Sequence, residues 1–341
     1  MLNNRVLYLD LAKVVSIFFV IVNHTNSRIF LSLQPSFAWF SSLSYFNLSR
    51  IAVPIFIMAT GALLLGRDEP YGKHLKRFWR AFIVLCAFSF YYYQAGDLHF
   101  ISFSDLQSTI RYIIEKPTSN ALWYMYLYIG IVAVMPFLQR MTSAMSRRDV
   151  EVLILLALGV AGVMSLIGHL FKISLYDRTN FTIYCYPVGF LFAGYYINKY
   201  ITIDRYVFRL LLIALVLSVM MSTLFTYIEF NKGYNYSLYW SYLGSLTVSI
   251  ASLSFFCVFK FLSSSNKIQL RGDLISSLSG CVFGVYLISD MVMIKTTDYY
   301  ISLSEKITPF FACLIWQISI ALISFAIIFL AKKIKFIRRY I

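Results

Sequence analysis

Charge is what this chain has least of. Only 13% of its 341 residues are Asp, Glu, Lys or Arg, while 60% are hydrophobic and the mean hydropathy is +0.72. Soluble domains carry about 25% charged residues. So small a complement cannot cover a water-facing surface, which excludes a pair of soluble domains and requires that most of the surface face lipid. Acidic groups are scarcer still, with 15 Asp and Glu against 30 Lys and Arg, and there are 4 histidines. The five cysteines, Cys86, Cys185, Cys257, Cys281 and Cys313, stand far apart in apolar runs. With no CxxC among them, they read as small buried hydrophobes, and neither a disulfide framework nor a metal site is expected. Neither GxxxxGK[ST] nor GxGxxG occurs, so nucleotide hydrolysis has no support.

What the chain does have is long apolar runs. Stretches near 9–30, 45–66, 78–95, 121–138, 150–171, 181–198, 207–228, 237–261, 276–296 and 309–331 each approach the roughly 20 residues that a helix needs to cross a bilayer. The runs are continuous, without the alternation of a membrane barrel. The expectation is an all-α bundle of about ten spans forming one domain over 1–341, with no linker long enough to set off another. The first run lacks a small-residue cleavage site and reads as a retained helix.

The net charge of +15 and pI near 9.5 would point to nucleic acid in a soluble protein. Here the cations are distributed by side. With the N-terminus placed inside, twenty of the thirty fall in cytoplasmic segments and eight in outer ones. That is the positive-inside bias of a plasma or inner membrane protein with both termini cytoplasmic. Nucleic acid is not an expected partner; membrane lipid is.

Ionisable groups inside spans are costly and mark function by default. Asp10, Lys13 and His24 lie along one helical face of the first run. Asp10 and Lys13 at its cytoplasmic edge suit either a local ion pair or a ligand site. His24 lies about 22 Å into the membrane, at roughly 1.5 Å per residue. By the same rule Arg50 is about 24 Å deep and Asp290 about 21 Å. Three ionisable groups on three helices at one depth predict a shared polar chamber. His74 reads as a residue of a cytoplasmic loop, His99 of an outer loop and His169 of a span end. Gly159 and Gly162 read as helix-packing positions.

After the second span, Lys73, Lys76, Arg77 and Arg80 recur at helical spacing. A helix would gather them on one face, either on anionic lipid or as a dock for a polyanion such as the phosphates of coenzyme A.

These residues resemble the acyltransferase 3 family of integral-membrane acyltransferases. Asp10-x-x-Lys13 followed by His24 looks like its opening motif. Ser49-Arg50-Ile51-Ala52-Val53-Pro54 through Thr60-Gly61 is similar to its R-x-x-VP-x-F-F-x-x-SG element. Lys116-Pro117 with Leu122-Trp123-Tyr124, and Phe283-Gly284-Val285-Tyr286-Leu287-Ile288, resemble two later segments. Lys13 stands where the family usually has arginine, Thr60 where it has serine, Ala121 where a histidine precedes Leu-Trp, and Ser289-Asp290 where the late histidine-proline falls.

The resemblance implies transfer of an acetyl or other small acyl group from cytoplasmic acyl-CoA to a hydroxyl of an extracytoplasmic or lipid-linked glycan. Acetyl-CoA would be the donor substrate, and no resident cofactor is expected. His24 suits the role of base, or of a group that is itself acylated, and Arg50 that of oxyanion partner. Asp290 would orient His24 or offset Arg50. Asp10, Lys13 and the basic loop would receive the donor, and Trp123 and Tyr186 would stack on sugar. A transporter or flippase for a polysaccharide precursor, and a non-catalytic assembly subunit, are the alternatives.

Overall fold

The computed structural model describes residues 6–31, 34–94, 107–108, 110–111, 115, 117–119, 121–173, 186–232, 238–263 and 271–340. Among these there is no strand. The helices begin with α1 (Leu7–Phe30), α2 (Phe37–Ser49), α3 (Ala52–Leu64), α4 (Tyr71–Gln94) and α5 (Trp123–Ala144). Next come α6 (Arg147–Ile154), a π-helical stretch Leu155–Val160, α7 (Ala161–Phe171), α8 (Tyr186–Tyr200) and α9 (Arg205–Asn231). A 3₁₀ turn Leu238–Ser241 precedes α10 (Leu246–Leu262), α11 (Gly272–Ser279) and α12 (Val282–Lys295). The chain closes with α13 (Thr297–Ser304), α14 (Pro309–Ala331) and α15 (Lys335–Tyr340). His99, Lys116 and Cys185 fall outside the described residues.

Among the described residues seven helical stretches are long and apolar enough to cross a membrane, and eight if the bent pair α11–α12 is one span. Two expected runs meet helices outside that set. α4 opens on Lys73, His74, Lys76, Arg77 and Arg80, which makes its first half polar. α8 is 15 residues long as described. His74 is not in a loop. It lies in the first turn of α4, buried, with Nε2 3.1 Å from Gln139 Oε1, while Gln139 donates to the Leu64 carbonyl.

Two helix breaks shape the interior. Pro54 lies near the start of α3; its ring would clash with the carbonyl of Arg50, four residues back, so the helix breaks at Arg50–Ile51. α11 and α12 meet at 58° around Gly280–Cys281. That corner is held by Asp10, which accepts hydrogen bonds from Ser279 (2.6 Å) and Ser276 (3.3 Å), and by Lys332, which donates to the Gly280 carbonyl (2.5 Å). The start of α1 and the end of α14 therefore reach the same end of the bundle.

Lipid tails are as apolar as leucine, so helices here associate by close packing. The tightest crossing is α3 on α8. A Cβ on Gly61 would stand 1.8 Å from the Leu191 carbonyl oxygen, and one on Gly194 1.9 Å from that of Met58. Of the two glycines singled out in the sequence, Gly162 faces Leu246 at 3.4 Å, whereas Gly159 meets only Leu155 of its own helix. α1 is the hub, touching α2, α3, α10, α11, α12 and α14.

Candidate active site

Arg50 caps the end of α2, where the proline-induced break turns its side chain across the bundle. Its Nε donates to the Ser241 carbonyl (2.6 Å) and its Nη1 to Asn23 Oδ1 (3.0 Å), and the guanidinium lies 5.6 Å from the Phe46 ring centre. Nη2 has no hydrogen-bond partner among the described residues. Two fixed N–H groups hold the plane of the guanidinium and leave the donors of Nη2 available, which suits a group that must meet a developing oxyanion.

His24 follows Asn23 on α1 and is half-buried. Asp290 on α12 and Arg50 at the α2–α3 break are the charged groups whose fields reach it. Among the described residues no hydrogen bond occupies its ring nitrogens. Asp290 is buried and accepts a hydrogen bond from the Ser119 hydroxyl, whose oxygen in turn accepts from the Ala121 N–H at 3.1 Å. No ion pair joins Asp290 to Arg50 or to His24 among the described residues.

Arg50 and Asn23 line a small cavity of about 20 Å³ with Trp123 and Ala121, room for about one water molecule. Phe56, Tyr124 and Tyr286 form one wall of it. The same three rings also line a second cavity of about 460 Å³. Tyr124 stands 6.0 Å from Phe56 and 5.8 Å from Tyr286, centre to centre, and the Tyr286 hydroxyl donates to the Ala121 carbonyl. A partition one aromatic layer thick thus separates the two spaces. Tyr186 packs edge-on against Phe190 and Tyr242.

The larger cavity is apolar within and cationic at its mouth, where Lys13, Arg77, Arg80 and Arg338 meet. Asp10 does not line it; it forms an ion pair with Lys13 at 2.9 Å and holds the α11–α12 corner. Lys73 and Lys76 are not brought there. Lys73 is drawn to Glu69 at 2.8 Å, and Lys76 is exposed. Glu69 also lies 3.0 Å from Arg77 and 3.6 Å from Arg67. Burial alone would push the Glu69 carboxyl up, but its hydrogen bonds to Lys73 and Arg77 and the charges of both outweigh that and hold it down, to about 2.

Four residues of this arrangement had no signal in the sequence reading. Asn23 and Ser119 are neutral, so nothing marked them as partners of charged groups. Arg338 lies in a terminal basic run that membrane topology already explained. His169, read as ordinary, is a corrected case. It stands 2.6 Å from Glu229 and stacks on Tyr239 at 4.0 Å, while the Trp240 indole donates to Glu229 at 2.8 Å. This cluster pins the 3₁₀ turn whose Ser241 carbonyl holds Arg50. Only a Glu placed opposite it in space, 60 residues on, reveals the role.

Compared with known proteins, residues 6–332 match the model of the acyltransferase 3 family, described as an acyltransferase domain. No curated protein and no solved structure matches the chain.

Proposed function

Because the chain belongs to the acyltransferase 3 family, whose members are membrane acyltransferases, we propose that it moves an acetyl or other small acyl group from cytoplasmic acyl-CoA to a hydroxyl of an extracytoplasmic or lipid-linked glycan. One observation carries this reading: a cation-mouthed cavity and the small cavity lined by Arg50 and Asn23 share the wall made by Phe56, Tyr124 and Tyr286. The thioester originates on one side of the membrane and the acceptor on the other, so such an enzyme needs two chambers that nearly meet. The cation bias supports a ten-span layout in the plasma or inner membrane, with both termini and the cationic mouth cytoplasmic.

The donor's phosphates rest at Lys13, Arg77 and Arg80, and the slender pantetheine arm follows the apolar cavity past Thr60 toward Tyr124. A cavity of this size is typical of small-ligand sites. The acceptor hydroxyl enters from the outer side beside Trp123. His24, whose ring nitrogens are free of hydrogen bonds among the described residues, takes the hydroxyl proton as the oxygen attacks the thioester carbonyl. Arg50 faces the oxygen that becomes negative. Collapse of the tetrahedral species breaks the carbon–sulfur bond, and the leaving thiolate recovers the proton from His24. The products are an ester and free coenzyme A. Asp290, held by Ser119, supports the imidazolium between those two transfers.

The test is transfer of radiolabelled acetyl from acetyl-CoA to glycan by the purified chain. Label reaching the glycan in wild type, and lost with His24→Ala at unchanged membrane abundance, supports the reading. Equal transfer by a well-expressed His24→Ala protein sinks the assignment of the base.

A further inference from the structure

The cavity's mouth is not completed by the segment that matches the family. That match ends at residue 332, yet Arg338 and Tyr340 line the cavity beside Arg80. They are carried by α15, which follows a turn after α14, packs on α4, and brings Tyr340 against the main apolar core. Lys332, donating to the Gly280 carbonyl at 2.5 Å, anchors the turn that sends α15 back over the opening.

The charges at this mouth are not equivalent. Lys13 is offset by Asp10 at 2.9 Å and Arg77 by Glu69 at 3.0 Å. Among the described residues, neither Arg80 nor Arg338 has a carboxylate within ion-pair distance. Two uncompensated guanidinium groups on different helices, facing one cavity, are an anion site, and the planar fork of each matches phosphate oxygens.

We infer that Arg338, with Arg80, grips the diphosphate of the donor's head, and that Tyr340 forms the lid-side wall of the same site. This deepens the acyl-CoA reading and rests on it for the identity of the donor; the anion site itself rests on the two guanidinium groups. Arg338 is a binding residue, remote from the reacting carbonyl, so its loss is expected in KM for the donor rather than in kcat.

The experiment uses the full chain purified in detergent and two assays: acetyl transfer as a function of acetyl-CoA concentration, and equilibrium binding of ADP as a probe for the diphosphate. Arg338→Ala should raise KM for acetyl-CoA and weaken ADP binding by about ten-fold or more, the scale of a lost charge-assisted hydrogen bond. Arg338→Lys should recover part of both. Lys335→Ala, an exposed cation on the same helix, should leave both at the wild-type value. Arg338→Ala behaving like Lys335→Ala while transfer proceeds would overturn this inference and leave the acyl-CoA reading standing. ADP binding that depends on Arg338 in a chain that never uses acetyl-CoA would do the reverse. Wild type that fails to bind ADP, or ADP displaced by phosphatidylglycerol at equal concentration, would overturn the donor-head assignment, the second outcome giving the site to a lipid headgroup.

Discussion

Arg50 donates to Asn23 across 3.0 Å, so the guanidinium is tied to the residue that immediately precedes His24 on α1. The residues proposed as base and oxyanion donor are thereby linked through one turn of α1, although they lie on different helices.

His24→Ala and Arg50→Ala should each abolish detectable acyl transfer at normal membrane abundance, since a positioned base contributes about 10²–10⁴-fold and an oxyanion donor about 10²–10³-fold. Arg50→Lys retains charge but cannot reach both Ser241 and Asn23 with a planar fork, so it should resemble Arg50→Ala. Radiolabel transferred to glycan, normalised to protein in the membrane, is the readout.

Asn23→Ala removes one of the two hydrogen bonds that aim Arg50. Transfer should fall about ten-fold in kcat, the scale of one hydrogen bond to a charged group, with KM for the acyl donor unchanged. A change in donor KM alone would show that Asn23 serves the other chamber.

Gly61→Ala and Gly194→Ala place a methyl against backbone, 1.8 Å from the Leu191 oxygen and 1.9 Å from the Met58 oxygen. Helix backbones cannot yield as a side-chain tip does, so each change should destabilise by at least the roughly 1–3 kcal/mol typical of overpacking. Thermal unfolding in detergent should show a clearly lowered midpoint for both. Gly130→Ala, where nothing lies within 4 Å, should not.

Glu69 offers a pH test outside the membrane-spanning helices. Its carboxyl is held at about 2 by Lys73 and Arg77, below the ordinary 4.5. A depressed folded-state value means that the stabilisation is full above about 4.5 and is lost as pH falls from there through about 2. Glu69→Gln should therefore be less stable than wild type at pH 7, by on the order of 1 kcal/mol after allowing for screening of its exposed partners. The gap should narrow only below about pH 4.5. Unfolding curves from pH 7 to pH 3 check both the sign and the window.

Much of this was legible in the chain because a bilayer imposes a length and a cost. Apolar runs of about 20 residues had to be helices, and the runs at 9–30 and 309–331 correspond closely to α1 and α14. Depth could be read from sequence for the same reason: 1.5 Å of rise per residue converts position into height, which is how His24, Arg50 and Asp290 could be expected at one level. Rotation about the helix axis has no such rule once the bundle is irregular. Lys73 and Lys76 share helical spacing with Arg77 and Arg80, yet Glu69 draws Lys73 away and Lys76 points outward.

Composition and spacing by themselves marked the chain as an all-helical membrane protein and gave the expectation of three ionisable groups at a common depth, because hydrocarbon tolerates neither open backbone nor unpartnered charge. Only the tertiary structure decided which neutral groups aim those charges, that Gly61 and Gly194 let two backbones touch, and that Arg338 returns to the mouth beside Arg80. Those are contacts between helices distant in sequence, and no local pattern records which distant backbone or side chain a residue will meet.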